Sequence, residues 1–250
     1  MREFDELVEV MARLRRDCPW DSKQTHKSIR PYLIEEAYEV AEAIEEGNDR
    51  ALKEELGDLL LQVVFHARIA EERGAFSIKD VLKGLVDKLV RRHPHVFGEA
   101  KARDAGEVLE RWEQIKRREG RTSVLDGVPK GLPALLRARR VQEKASRVGF
   151  DWDRAEGALD KVKEEVGELE AAVAARDKGR IEEELGDLLF SVVNLSRLSG
   201  VDPEWALQNA VEKFVARFRA VEKVLARQGR TPQEATLEEM DRIWEEIKSR

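Results

Sequence analysis

One acidic pattern occurs twice in this 250-residue chain and limits what the rest of it can be. Glu35, Glu36 and Glu39 are followed by Glu54-Glu55-Leu56-Gly57-Asp58, and Glu164, Glu165 and Glu168 by Glu183-Glu184-Leu185-Gly186-Asp187. Fifteen residues separate Glu39 from Glu55, and fifteen separate Glu168 from Glu184. Three residues make nearly one helical turn, so Glu36 and Glu39 share a helix face, as do Glu55 and Asp58. If the two helices pack as neighbours, four carboxylates meet in one place. Like charges at close range repel, so a fold that gathers them needs a cation.

The surrounding sequence is helical throughout. Phe4, Leu7, Val8, Met11 and Leu14 give a helical period over residues 2–16, interrupted at Asp17-Cys18-Pro19-Trp20-Asp21. A second helix is predicted from Ser28 or Pro31 to Glu46, and a third, capped by Asp49, to Arg73. A fourth opens at Ser77 and closes at His93-Pro94, and a fifth spans 104–119. Residues 120–133 carry three glycines and two prolines without a period and read as a linker. Helices resume at 134–147, 155–175, 178–199, 203–228 and 234–249. No segment alternates at period two for long enough to make a strand, so the fold class is all-α.

Other landmarks repeat with the acids. Trp20-Asp21 returns as Trp152-Asp153, and Trp112 with Lys116 as Trp244 with Lys248. The offset is 132 at these landmarks and 129 at the acidic motifs. Two units this long do not make a solenoid, which stacks short units at least about three times. Two tandem homologous helical domains follow, at 1–119 and 134–250, joined by 120–133.

Charge and composition exclude some functions. A formal net charge of −6 does not suit a nucleic-acid partner, whose binding rests on Lys and Arg neutralising phosphates. The lone Cys18 forms neither an intrachain disulfide nor a thiolate metal site. No signal-peptide core or membrane-spanning run is present, so the expected setting is the cytoplasm, with no membrane partner.

A single acidic helix face is usually only wet. Here the acids sit beside apolar Ile34, Ala37, Val40, Leu56 and Leu59, on two consecutive helices, twice over. Oxygen ligands favour Mg²⁺, with Mn²⁺ as a substitute, and Mg²⁺ held by few carboxylates favours a phosphate-bearing ligand. A ferritin-like di-iron cage needs Glu-x-x-His on two helices. Lys23, Val63, Val90 and Arg92 stand three before the four histidines, so that reading fails. Lys88 with Arg92, and Lys213 with Arg217, stand one turn apart where phosphate charge would need balancing, although cations also suit a helix C-terminus for its dipole alone. Trp112/Lys116 and Trp244/Lys248 read either as base-stacking pairs whose lysine reaches phosphate or as core tryptophans beside snorkelling lysines.

These motifs, with Cys18-Pro19-Trp20-Asp21, Gln24-Thr25-His26 and Phe97-Gly98, resemble the MazG family of nucleoside triphosphate pyrophosphohydrolases, within the all-α NTP pyrophosphatase superfamily. The resemblance covers nearly the whole chain as two tandem domains. It implies Mg²⁺-dependent hydrolysis of a nucleoside triphosphate to the monophosphate and pyrophosphate, in a homodimer. By motif position it implies metal ligands at Glu165, Glu168, Glu184 and Asp187, and at Glu36, Glu39, Glu55 and Asp58. Implied substrate contacts are Lys161, Glu164, Arg180, Glu183, Lys213, Arg217, Trp244 and Lys248, and in the first copy Lys88, Arg92, Trp112 and Lys116. Glu164 or Glu35 is the candidate for orienting or deprotonating the attacking water. Lys161 and Arg180 place a cation one turn before each acidic pair of the second copy, where the first has Tyr32 and Ala51. The second copy is therefore expected to be the better hydrolase. A non-catalytic regulator that binds a nucleotide or a partner protein is the alternative, and a purely structural helical protein the third reading.

Overall fold

The computed structural model describes residues 2–98, 101, 103, 104, 106–108, 112, 115 and 122–249. Every regular element among them is helical. The chain separates into two compact units, Met1–Leu109 and Glu110–Arg250. The predicted helix over 104–119 lies largely outside the described residues.

In the first unit, α1 (Arg2–Asp17) leads through a short 3-10 turn at Asp21–Lys23 into α2 (His26–Glu45). Next come α3 (Asp49–Glu72), α4 (Ile78–Arg92) and the single turn α5 (Pro94–Phe97). α2 and α3 form a hairpin, while α1 and α4 pack against α3. Met11, Ile29, Val64, Phe65, Ala67, Ile69 and Ile78 make the core. The start of α2 differs from the sequence expectation. Thr25 caps it by accepting from Ser28 N at 3.2 Å, while Ser28 Oγ accepts from Thr25 N at 2.8 Å. This reciprocal box begins the helix ahead of Pro31 and satisfies donors that would otherwise be orphaned. Pro31 then lies inside α2, close enough to its start that only one early hydrogen bond is lost. Asn48, not Asp49, caps α3, its side chain accepting from Ala51 N.

Arg15 ties these elements together. Its guanidinium donates to Glu72 Oε2 at 2.7 Å, to Gln24 O at 3.1 Å and to the carbonyl of Asp21, and it lies over the Phe65 ring. Its donation to Glu72 is the main reason that carboxyl is held below its ordinary value near 4.5. A lowered folded value stabilises the fold above the unfolded value, and that contribution is lost as pH falls. Arg15→Met is expected to destabilise this unit by about 1–3 kcal/mol, because it takes a charged donor from the Asp21 and Gln24 carbonyls and leaves Glu72 to Arg68 alone. Urea unfolding at pH 7 measures it, and a loss under about 0.5 kcal/mol, the scale of an ordinary surface change, would contradict it.

The second unit runs α6 (Ala134–Ser146), α7 (Ala155–Ala175), α8 (Lys178–Leu198), α9 (Pro203–Arg227), a 3-10 turn at Pro232–Glu234 and α10 (Leu237–Lys248). α7 and α8 repeat the hairpin, α6 packs on α8 and α9, and α10 packs on α9. Where Gly47 turns the first hairpin at φ +63°, Arg176 turns the second at φ +56°, a left-handed position costly for a residue with a Cβ. The last helix begins at Leu237, after the 3-10 turn, because Thr236 and Glu239 form a capping box. Within the expected linker, Asp126 accepts from Thr122 N and Ser123 N. Lys144 of α6 donates to the carbonyls of Val124 and Asp126, both at 3.1 Å.

Candidate functional site

The antiparallel α7–α8 hairpin sets the acidic pair of one helix against that of the other. Single carboxylate oxygens of Glu165, Glu184 and Asp187 lie within 4.8 Å of one another. Glu165 and Glu184 are 4% and 9% exposed, so this charge is taken largely out of water. Lys161 compensates, its Nζ 2.7 Å from Glu165 Oε1 and 2.8 Å from Glu164 Oε1. Those two carboxylates raise the lysine pKa well above its ordinary value. Arg180 Nη2 stands 3.5 Å from Glu184 Oε1. The second oxygen of Glu165 is buried with no donor. A buried carboxylate oxygen without a donor, on a residue clustered with two other acids, fits a hard cation. Glu168 lies outside the tight trio but faces it. Its carboxyl is pushed up first by the charge of Glu184, then by burial and Glu165.

The first hairpin gathers Glu36, Glu39 and Glu55 within the same 4.8 Å. Here the member outside the trio is Asp58, which still acts on it. The Glu36 carboxyl is pushed up by burial, then by Asp58 and Glu39. That of Glu55 is pushed up by partial burial, then by Glu39, Asp58 and Glu54. Tyr32 and Ala51 stand where the second copy has Lys161 and Arg180, and the Nε2 of Gln62 lies 3.5 Å from Glu36 Oε1. The copies thus meet the same crowding differently: the second sets a lysine and an arginine against it, the first the neutral Gln62 amide.

Of the other predicted residues, Arg217 and Trp244 come together, the guanidinium 5.8 Å from the indole centroid, with the Phe214 ring centroid 5.2 Å from the same indole. The tryptophan is thereby positioned by α9 from one residue expected to bind phosphate. Lys213 is exposed on α9, and Lys248 pairs with Glu245 at 3.2 Å. Among the described residues, no hydrogen bond or ion pair links these four to the carboxylates. Glu35, Glu164 and Glu183 are exposed beside their clusters, and Lys88 is exposed on α4. Arg92 and Trp112 are half-buried, and Lys116 lies outside the described residues. Two groups escaped the sequence reading. Gln62 stands one turn beyond Asp58 on the same face, with no motif to announce it. His26 and His66 stack with Nδ1 atoms 2.9 Å apart, a pairing no spacing rule reveals.

The hairpins also leave apolar surface uncovered. Leu56, Leu60 and Val63 on α3, and Leu185, Leu189 and Val192 on α8, are exposed, as are Leu82, Leu85, Val86 and Leu89 on α4. Gly57 and Gly186 sit mid-helix in these faces, and a Cβ added at either would meet nothing within 4 Å.

Two stretches of the chain, 24–97 and 154–222, match the family described as the MazG nucleotide pyrophosphohydrolase domain. The nucleoside triphosphate pyrophosphohydrolase/pyrophosphatase MazG of Thermotoga maritima is 52% identical over 250 residues, 98% of this chain and 95% of that protein. The nucleoside triphosphate pyrophosphohydrolase of Escherichia coli K12 is 47% identical over 257 aligned positions, 99% of this chain and 98% of that one. A protein of the same description from Mycolicibacterium smegmatis is 42% identical over 216 residues, 76% of this chain and 66% of that protein.

Proposed function

The chain belongs to the MazG family of nucleotide pyrophosphohydrolases, and from that premise we propose that it hydrolyses nucleoside triphosphates, ATP among them, to the monophosphate and pyrophosphate. It is an enzyme of the nucleoside triphosphate pyrophosphohydrolase class. Our reading assigns most of the turnover to the second copy, with Mg²⁺ as the working ion and Mn²⁺ as its substitute. The observation that carries this is the α7–α8 cluster, three converging carboxylates with one buried oxygen left without a donor. Glu165, Glu184 and Asp187, joined by Glu168, would hold the cation there. When bound, it supplies Lewis-acid polarisation of the triphosphate and an acidified water.

The chain's own residues do the rest. Lys161 and Arg180, already beside the carboxylates, are placed to balance phosphate charge as pyrophosphate departs. Glu164 is exposed, accepts a hydrogen bond from Lys161, and suits a role in orienting the attacking water. Trp244, braced by Phe214 and Arg217, offers an aromatic face to a base. In the first copy Glu36, Glu39, Glu55 and Asp58 form the equivalent set with Glu35 beside it. Lacking the paired cations, that copy is assigned a different substrate preference or an assembly role.

We further propose a homodimer formed through the uncovered apolar faces of the hairpins, since contiguous exposed apolar surface marks interaction sites. No helix among the described residues is long and apolar enough to cross a membrane, and the compartment we propose is the cytoplasm. Incubating the protein with Mg²⁺ and a panel of nucleoside triphosphates tests the reading. Monophosphate with pyrophosphate is the expected outcome. Diphosphate with orthophosphate would move the attack away from the α-phosphorus, and saturable binding without product would leave a nucleotide-binding regulator.

A further inference from the structure

The start of α2 is fastened to the middle of α3 by a contact that the hydrolytic scheme leaves unused. His26, the first residue of α2, meets His66 across 40 residues of sequence, Nδ1 to Nδ1 at 2.9 Å, with the rings within 4° of parallel and their centroids 5.2 Å apart. At that distance one Nδ1 carries a proton and the other accepts it. Two N–H groups, or two bare lone pairs, would repel. His66 adds a second condition, because its Nε2 is buried with no hydrogen-bond partner. The neutral pair meets both conditions when His66 donates from Nδ1 and His26 keeps its own proton on Nε2. A third proton has to go to the buried Nε2 of His66, and a fourth sets N–H against N–H at the contact. Only the neutral pair therefore makes this contact without leaving a buried donor unpaired.

The electrostatics agree with that count. Burial, then the charge of His26, holds His66 below the ordinary histidine value of 6.5. The elements that meet here carry other charges: Arg15 on α1, Asp21 and Lys23 between α1 and α2, Lys27 and Arg30 on α2, and Arg68 and Glu72 on α3. On α4, Asp80 is taken up by Ser77. Arg15 and Arg68 both bind Glu72, and none of these groups contributes to the shift of His66. The unfolded chain binds a proton here more readily than the fold does. The contact's contribution is thus full above the ordinary value and is lost as pH falls below it.

Two polar anchors hold residues 18–25 onto the unit. Arg15 donates to the carbonyls of Asp21 and Gln24, and the His26–His66 contact follows directly after. The guanidinium keeps its charge at any pH the fold meets. Its partner Glu72 is held below the usual carboxylate value and stays ionised throughout the histidine range. Only the second anchor titrates near neutrality. The segment between α1 and α2 also has something to move: Trp20 and Asp21 form one wall of a cavity of about 320 Å³, facing Tyr32 of α2 and Phe65 of α3. We infer that His26 and His66 form a proton-operated clasp. When neutral it holds residues 18–25 and the first turn of α2 against α3, and when protonated it releases them and loosens the wall that carries Trp20.

Hydrogen-exchange mass spectrometry of the full chain, at about pH 7.5 and about pH 5.5 and corrected for intrinsic exchange rates, tests this. In the unmodified chain, protection over residues 18–30 should fall about tenfold or more at the lower pH, while α8 and α9 change less than about threefold. His26→Ala removes the clasp at a half-buried position, and His66→Phe removes its nitrogens while keeping a ring in place. Circular dichroism checks that each variant stays helical. Both should show the lowered protection already at the higher pH, with little further change on acidification. Equal protection at the two pH values in the unmodified chain would overturn the inference, as would a loss spread evenly over both units. So would either variant keeping full protection at the higher pH, or losing as much on acidification as the unmodified chain does.

Discussion

Glu165→Ala is expected to lower nucleoside triphosphate turnover by at least about a hundredfold while Glu36→Ala lowers it less than about threefold. Glu165 sits at the centre of the α7–α8 cluster, 4% exposed, one oxygen held by Lys161 and the other without a donor. Removing it takes away a proposed cation ligand and leaves Lys161 to Glu164 alone, so two roles proposed for the site fail together. The fold should survive. Alanine is the best helix former, and the substitution relieves repulsion among the remaining acids. Steady-state pyrophosphate release from each variant, with helical content checked, decides the matter. Unchanged turnover in Glu165→Ala would transfer the chemistry to the first copy. Loss in both variants would make the copies interdependent.

The second large effect is on stability, and its sign reverses the usual one for acids. Glu36 and Glu55 are pushed above their ordinary value near 4.5, so the folded first copy binds protons more readily than the unfolded chain does. Between the ordinary value and the raised folded one, stability must fall as pH rises. Below that window both states are protonated and the penalty disappears. A divalent cation competes with those protons and removes the repulsion. Mg²⁺ at about a hundred times its dissociation constant should stabilise the site by about 2.7 kcal/mol. In a unit of this size that raises the melting temperature by roughly 10–15 °C at pH 8, and by much less at pH 5. Differential scanning fluorimetry with and without Mg²⁺ at the two pH values reads both. A shift of equal size at pH 5 and pH 8, or none at pH 8, would remove the cation from this account. Glu55→Gln should raise the metal-free melting temperature while shrinking the shift.

Much of this was legible because it is local. Spacings of three and four residues dictate which acids share a face, and duplication made the α2–α3 and α7–α8 hairpins readable as the same object. The Lys161 and Arg180 contacts also lay within one turn of their acids, where helix geometry alone places them. Tertiary arrangement is what periodicity does not encode. Which acid drops out of each trio, Asp58 in one copy and Glu168 in the other, depends on how two helices rotate against each other. The early start of α2 was hidden because a Thr25–Ser28 capping box outweighed the warning given by Pro31. Gln62 looked like an ordinary polar residue in a helix. What sets it apart is tertiary: Glu36 and Tyr32 of α2, and Trp20 of the segment between α1 and α2, are brought to it by the fold.

Gly57 and Gly186 show where the chain has declined to be as rigid as it could be. Each costs its helix about 1 kcal/mol against alanine, and nothing inside the fold needs the space. Both lie between the two acids of an ExxD pair, so the softness is concentrated at the acid-bearing turn. A stabilisation campaign scored on melting temperature alone would select alanine at both positions, and would stiffen the turns that carry the acids.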